Sequence, residues 1–261
     1  MRHVCGGSQR AGQLEPHTSK PACPARDRLS CACLPNGGFV AAVADGAGSA
    51  ICADRGAEIA VASAVEAVSR AIDVNTCDFV SLLRDAMVAS ADAVLAVAKA
   101  EDREARDFAS TLLLAVATSS GGAALQIGDG VIVVCHGGED WSWVFWPDRG
   151  EYANTTRFLT DEDALTALQV GVFATQPTDI ALMSDGLEPL ALHYASKTAH
   201  APFFDPLFNA LQAREGDGEI IALSRALESF LASPRVAERT DDDLSLIMAT
   251  RRPRASDEPC H

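Results

Sequence analysis

No apolar run in this 261-residue chain approaches the ~20 residues that a membrane-spanning helix needs. Met1 to Arg10 lacks the apolar centre of a secretory signal, so the expected setting is soluble and cytoplasmic. Positive charge is scarce: 21 Lys and Arg stand against 36 Asp and Glu, for a formal charge of −15. Such a chain repels polyanions and offers no basic groove, which argues against nucleic acid or an anionic membrane as partner. There is no Cys-x-x-Cys pair among the eight cysteines. The nearest thing is Cys31-x-Cys33, which no second cysteine pair complements, so a structural zinc is not expected and free thiols in a reducing compartment are. Ser49 and Ser184 have no histidine in a supporting motif, which argues against a serine triad. No internal repeat and no linker divides the chain.

What is present is a foldable core. Hydrophobic residues make up 48% and charged residues 22%, and a chain of this length buries about three quarters of its unfolded surface without needing a disulfide. Residues 1–38 show no sustained period and read as loops and short strands. Phe39 to Ala44 is a continuous apolar run of strand length, the pattern of a strand covered on both faces. Ala57, Ala60, Val61, Ala64, Val65, Val68 and Ile72 then recur at helical spacing, and a second helix is predicted over Phe79 to Lys99. Asp73 to Asp78 connects the two with N-cap residue types.

Short strands follow at Ser110–Thr118, Ala123–Ile127, Val131–Cys135 and Trp141–Trp146. Gly-rich turns separate them, so an antiparallel meander is expected, continued by Val170–Ala174 and Ile180–Met183. A helical insert lies between Leu187 and Arg235, including Glu219 to Leu231, and Leu244–Met248 closes the pattern as a strand. This order predicts α+β layers and not a regularly alternating parallel sheet.

Four aspartates share one context. Asp45 follows Phe39–Ala44, Asp129 lies between two strands in Gly128-Asp129-Gly130, Asp185 follows Ile180–Ser184, and Asp242 precedes Leu244–Ile247. A carboxylate at a strand end is held rigidly, and the glycines after Asp45, Asp129 and Asp185 allow the backbone to turn and approach an ion. Hard cations such as Mg2+ and Mn2+ prefer such oxygens. Any one Asp-Gly alone is a common turn. Four in this order point to a shared cation site.

In this order the motifs resemble the metal-dependent protein serine/threonine phosphatases of type 2C. Val43-Ala44-Asp45-Gly46-Ala47-Gly48 is similar to the family's Asp-Gly-x-Gly, and Ser110-Thr111-Leu112 with Gly128-Asp129-Gly130 to its central elements. Met183-Ser184-Asp185-Gly186-Leu187 and Asp242-Asp243-Leu244-Ser245 are similar to its closing elements. The resemblance implies an α-β-β-α four-layer sandwich with two mainly antiparallel sheets. It implies one phosphatase-like domain over residues 1–250, followed by a polar tail, 251–261. It also implies hydrolysis of phosphoserine or phosphothreonine in proteins by a bridging hydroxide, with Asp45, Asp185 and Asp242 catalytic.

The implied cofactors are two Mn2+ or Mg2+ ions and a third, weaker one. Asp45 would bridge the pair, the Gly46 carbonyl would serve one ion, and Asp185 and Asp242 would hold the other. Asp129 would share the third ion with Asp185. The implied partners are a phosphoprotein substrate and a cognate serine/threonine kinase.

Three departures from the family pattern stand out. In the first motif, Pro24-Ala25-Arg26-Asp27, Asp27 matches the final acid and is by that resemblance a candidate metal ligand, while Arg26 replaces an acid or amide and is the candidate phosphate-binding cation, with Lys20 and Arg28 as alternatives. Ala47 stands where a proton-donating histidine is often found, and Asp243 replaces an asparagine. The first motif and Ala47 motivate the rival reading of a pseudophosphatase that binds phosphoproteins without turnover, and a general small-phosphoester hydrolase is a third. His136 reads as a surface turn, His17 as open, and Trp141, Trp143 and Trp146 as packing.

Overall fold

The structure is a computed structural model, and it describes residues 1–8, 26–73, 76, 78–138, 140–147, 156–173 and 175–251. His17, Lys20, Pro24, Ala25, Asn75, Ala174 and the tail beyond Arg251 lie outside the described residues. In chain order the first strands are β1 (Arg2–Ser8), β2 (Arg28–Cys33) and β3 (Phe39–Ala44), followed by helices α1 (Ala53–Ala71) and α2 (Phe79–Ala100). Then come β4 (Leu112–Thr118), β5 (Gly121–Ile127), β6 (Val131–Cys135) and the short β7 (Ser142–Trp143). After α3 (Ala164–Ala167) the chain forms β8 (Gln169–Val172) and β9 (Asp179–Met183). The insert holds α4 (Glu188–Ala191), β10 (Leu192–His193), β11 (Thr198–Ala199), α5 (Ala201–Gln212), β12 (Gly218–Glu219), α6 (Ile221–Leu231) and α7 (Pro234–Ala237). β13 (Leu244–Thr250) ends the fold.

Two sheets result. One has the order β12-β1-β13-β9-β6-β7, the other β2-β3-β4-β5-β8. Apart from the parallel β1–β12 contact, their pairings are antiparallel. Three apolar clusters separate four layers. Val40, Ala42 and Ala44 of β3 face α1 and α2, while Phe39, Ala41 and Val43 face the other sheet. β13 divides in the same way, with Leu246 and Met248 under the insert helices and Ile247 and Ala249 between the sheets. Strands covered on both faces must be apolar at every position, which is why they show as runs and not alternation. The predicted α-β-β-α sandwich is the one observed.

Helix α1 presents Ala57, Ala60 and Ala64, fully buried, so that it can lie close on α2 and the sheet. Asp78 begins α2 by accepting a hydrogen bond from the Ser81 amide at 3.0 Å, which satisfies an otherwise unpaired helix-end donor.

The expected meander is not what forms. β4 and β5 pair with each other, but β6 pairs with β9 and β7 in the opposite sheet, and β8 returns to pair with β5. The chain crosses between sheets at Gly128-Asp129-Gly130, where Gly128 has φ +96°, a left-handed backbone that glycine adopts without steric cost. Period-2 spacing reports strand and turn but not which sheet a strand joins. The strand predicted over Trp141–Trp146 shrinks to Ser142–Trp143, because Trp141 leaves the edge to stack on Phe204 and Phe208 of α5.

Candidate metal centre

Strand register brings the aspartates to one end of the sandwich. β2 and β3 pair Arg28 with Ala44, so the next residues outward, Asp27 and Asp45, stand side by side. β6 and β9 pair Val131 with Met183, which sets Asp129 and Asp185 level two residues further on. β13 pairs Leu246 with Met183, so Asp242 and Asp243 pass just beyond Asp185.

Backbone contacts fix each loop. The Asp45 amide donates to Thr111 Oγ1 at 2.9 Å, and the Thr111 amide donates back to the Asp45 carbonyl at 2.8 Å. Gly46 bridges to Ser110, and the Ala47 amide donates to Ala109 O at 2.9 Å. A Cβ on Gly46 would lie 2.7 Å from the Ala53 carbonyl oxygen, and one on Gly186 would lie 2.4 Å from the Asp243 carbonyl oxygen. Neither glycine has a positive φ. Their role is close approach: one lets the Asp45 loop rest on the start of α1, the other lets Asp185 lie against the Asp242-Asp243 segment. Asp129 Oδ2 accepts from Thr156 Oγ1 at 2.8 Å, and Asp242 Oδ1 from the Asp243 amide at 2.9 Å.

The electrostatics show a site short of positive charge. Burial pushes the Asp45 carboxyl up to about 10, and Asp27, Asp185 and Asp242 add to the shift as neighbouring negative charges. Asp185 is pushed up to about 7 by burial, then by Asp129, Asp242 and Asp27. Burial also raises Asp27, partly offset by hydrogen bonding within a group formed by Asp45, Ser184 and Ser245. Like charges removed from water hold protons unless a cation replaces them. Asp27 Oδ2 and Asp185 Oδ1 are buried with no hydrogen-bond partner, and a buried carboxylate oxygen left so is costly. Such oxygens fit a hard divalent cation, which takes carboxylate and carbonyl ligands.

Arg26 stands beside this group. Its backbone amide donates to Asp243 Oδ2 at 2.8 Å, and its guanidinium lies against Gly48, where a Cβ would come to 3.2 Å from Nη1. Arg28 points elsewhere, to the Asp27 carbonyl at 2.9 Å and the Asp54 carboxylate at 3.5 Å. Ser184 is buried, and its hydroxyl accepts from the Ser245 amide at 3.0 Å, which is a structural bond between strands. His136 follows β6 at the end away from Asp129 and contacts Thr175 at 2.9 Å. Thr156 carries no signal in the sequence, and Thr111, Ser184 and Ser245 lie in the motifs without showing the supporting bonds that they make. Single hydroxyls beside strands carry no spacing signal, and only the fold shows what they support.

The sequence matches the profile of the family described as protein phosphatase 2C over residues 18–232. It is 38% identical over 208 residues to serine/threonine-protein phosphatase 3 of Escherichia coli (strain K12), covering 79% of this chain and 81% of that one. Among solved structures, it superposes on the serine/threonine phosphatase Stp1 from Staphylococcus aureus with a TM-score of 0.63 at 12% identity, covering 96% and 95% of the two chains. The catalytic domain of serine threonine protein phosphatase PstP in complex with two manganese ions gives a TM-score of 0.61 at 17% identity, covering 95% and 97%. At such identities the two structures speak to fold alone. The profile ends before Asp242, so it is strand register that places this residue beside Asp185.

Proposed function

The chain belongs to the protein phosphatase 2C family and is a protein serine/threonine phosphatase, and from that premise we propose that it hydrolyses phosphoserine and phosphothreonine in a reaction dependent on Mn2+ or Mg2+. The observation that carries this is the convergence of Asp27, Asp45, Asp129, Asp185 and Asp242, which raises the proton affinity of Asp27, Asp45 and Asp185 and leaves buried oxygens of Asp27 and Asp185 unpaired. Asp45, the Gly46 carbonyl, Asp185 and Asp242 would hold two ions, with Asp27 as a further carboxylate ligand, and Asp129 would hold a third ion together with Asp185. Bound there, the ions supply a nucleophile from water near neutral pH and offset charge on the phosphoryl oxygens.

The chain's own groups do the positioning. Thr111 and Ala109 fix the Asp45 loop from behind, so the carboxylate is oriented before substrate arrives. The Arg26 guanidinium, beside the same loop, would take the substrate phosphate with paired N–H donors. Ala47 brings no proton to the departing alkoxide, so that proton comes from water. The substrate is a phosphoprotein, and a cognate serine/threonine kinase would make it. The insert carrying α4 to α7 would shape which phosphoprotein is accepted.

The test is hydrolysis of a phosphothreonine peptide by purified protein with Mn2+, against a chelated control. Turnover that depends on the metal supports the proposal. Absence of turnover with several metals and peptides, alongside retained phosphopeptide binding, would favour the non-catalytic binding module.

A further inference from the structure

Away from the carboxylates, soft donors meet where the two sheets face each other. His3 and Cys5 stand two apart on β1, Cys31 and Cys33 two apart on β2, so each strand turns both its donors to one face. Cys5 Sγ lies 3.2 Å from Cys31 Sγ, and Cys33 Sγ lies 3.9 Å from His3 Nδ1. Among the described residues, His3, Cys5 and Cys31 are the one set of His, Cys, Asp or Glu whose ligand atoms all fall within 4.8 Å of one another. His3 is buried and its ring rests on Phe39, with centroids 5.3 Å apart. Cys5 and Cys31 are half-buried, and Cys33 is exposed at the rim. Cys31 pairs with Ala41, four residues from Asp45, roughly 13 Å along a strand at about 3.3 Å per residue. The two centres are separate.

Packed thiols are common, but His3, Cys5 and Cys31 are compact enough to be three ligands of one cation, and Cys33 stands beside them through its contact with His3. Tetrahedral zinc, with Zn–S about 2.3 Å and Zn–N about 2.0 Å, sets ligand sulfurs about 3.8 Å apart and sulfur to nitrogen about 3.5 Å apart. The observed Cys5–Cys31 sulfur distance of 3.2 Å is shorter than the first edge and the Cys33–His3 distance of 3.9 Å longer than the second, so small side-chain rotations bring the donors onto a cation. Thiolate and imidazole suit a zinc-class cation and not the hard ions of the carboxylate centre.

We propose that His3, Cys5, Cys31 and Cys33 form a cross-sheet site for a zinc-class divalent cation, with Cys33 closing the fourth position. Binding releases the thiol protons to solvent and ties β1 of one sheet to β2 of the other. The site had no cysteine-spacing signature because each donor pair is spaced for a strand face and one pair includes a histidine.

Cobalt titrated into the full chain under a phosphine reductant tests this. The expected result is a thiolate-to-cobalt charge-transfer absorption with intense tetrahedral visible bands, saturating at about one equivalent and displaced by zinc, in keeping with a closed four-ligand site. Cys5→Ser and Cys31→Ser should weaken binding by more than about tenfold, and Asp45→Asn should leave the absorption unchanged. Cys33→Ser, at an exposed position that folding tolerates, should weaken it by about tenfold and reduce the charge-transfer intensity. No charge-transfer absorption in the reduced wild type overturns the proposal, as does absorption kept in full by Cys31→Ser.

Discussion

Asp45 and Asp185 are largely buried among like charges, and burial first, then those neighbours, set how their carboxyls respond to pH. In the metal-free chain Asp45 titrates near 10 and Asp185 near 7, against an ordinary value of 3.8. Both groups bind protons more tightly folded than unfolded. Their contribution to stability is therefore complete below pH 3.8 and lost as pH rises, through about 7 for Asp185 and about 10 for Asp45. With chelator present, Tm should fall between about pH 5 and pH 8, and Asp185→Asn should flatten that fall. Thermal melts across the range check it, and a chelated Tm that climbs over the same interval would contradict the assignment. Arg26 gives a second test at this scale. A charge-assisted hydrogen bond is worth about 1.5–3 kcal/mol, so Arg26→Ala should lower kcat/KM on peptide by roughly 10- to 100-fold. Calorimetric binding of Mn2+ should stay intact in the same variant.

At the scale of elements, the site depends on where strands stop. Ser184 and Ser245 close the end of the β9–β13 pair, and the buried Ser245 amide has the Ser184 hydroxyl as its acceptor. Ser184→Ala should cost about 1–3 kcal/mol by leaving that donor unpaired, read from urea denaturation at fixed pH. Full stability in that variant would remove Ser184 as a support of the centre. The elements also show what the sequence could and could not convey. β3, α1, α2 and β13 are legible because burial on two faces, or on one helical stripe, writes a period into the residues. The switch of β6 and β9 to the other sheet is not legible, since turn residues at Gly128–Gly130 look alike whether a strand pairs with its neighbour or crosses over. The aspartates were legible as strand-end residues, yet their adjacency depends on register across β2–β3, β6–β9 and β9–β13. β1 carried no period, and so the meeting of His3 and Cys5 with Cys31 and Cys33 was hidden.

For the whole molecule, the proposed cation site would couple metal binding to the fold. A sandwich whose sheet ends collect five carboxylates is strained electrostatically until positive charge arrives, and a ligand that binds only the folded state stabilises it by mass action. At a hundredfold excess over Kd one such site contributes about 2.7 kcal/mol, which for a chain of this size raises Tm by roughly 5–10 °C. Mn2+ should produce that rise in the wild type and little of it in Asp45→Asn. Among the described residues no helix is long and apolar enough to cross a membrane. The most direct test of the metal centre is anomalous diffraction from crystals of the full chain grown with Mn2+. Two manganese peaks within coordination distance of the Asp45 carboxylate, flanked by Asp185 and Asp242, are the predicted result. Saturating Mn2+ with no peak beside Asp45 would contradict it.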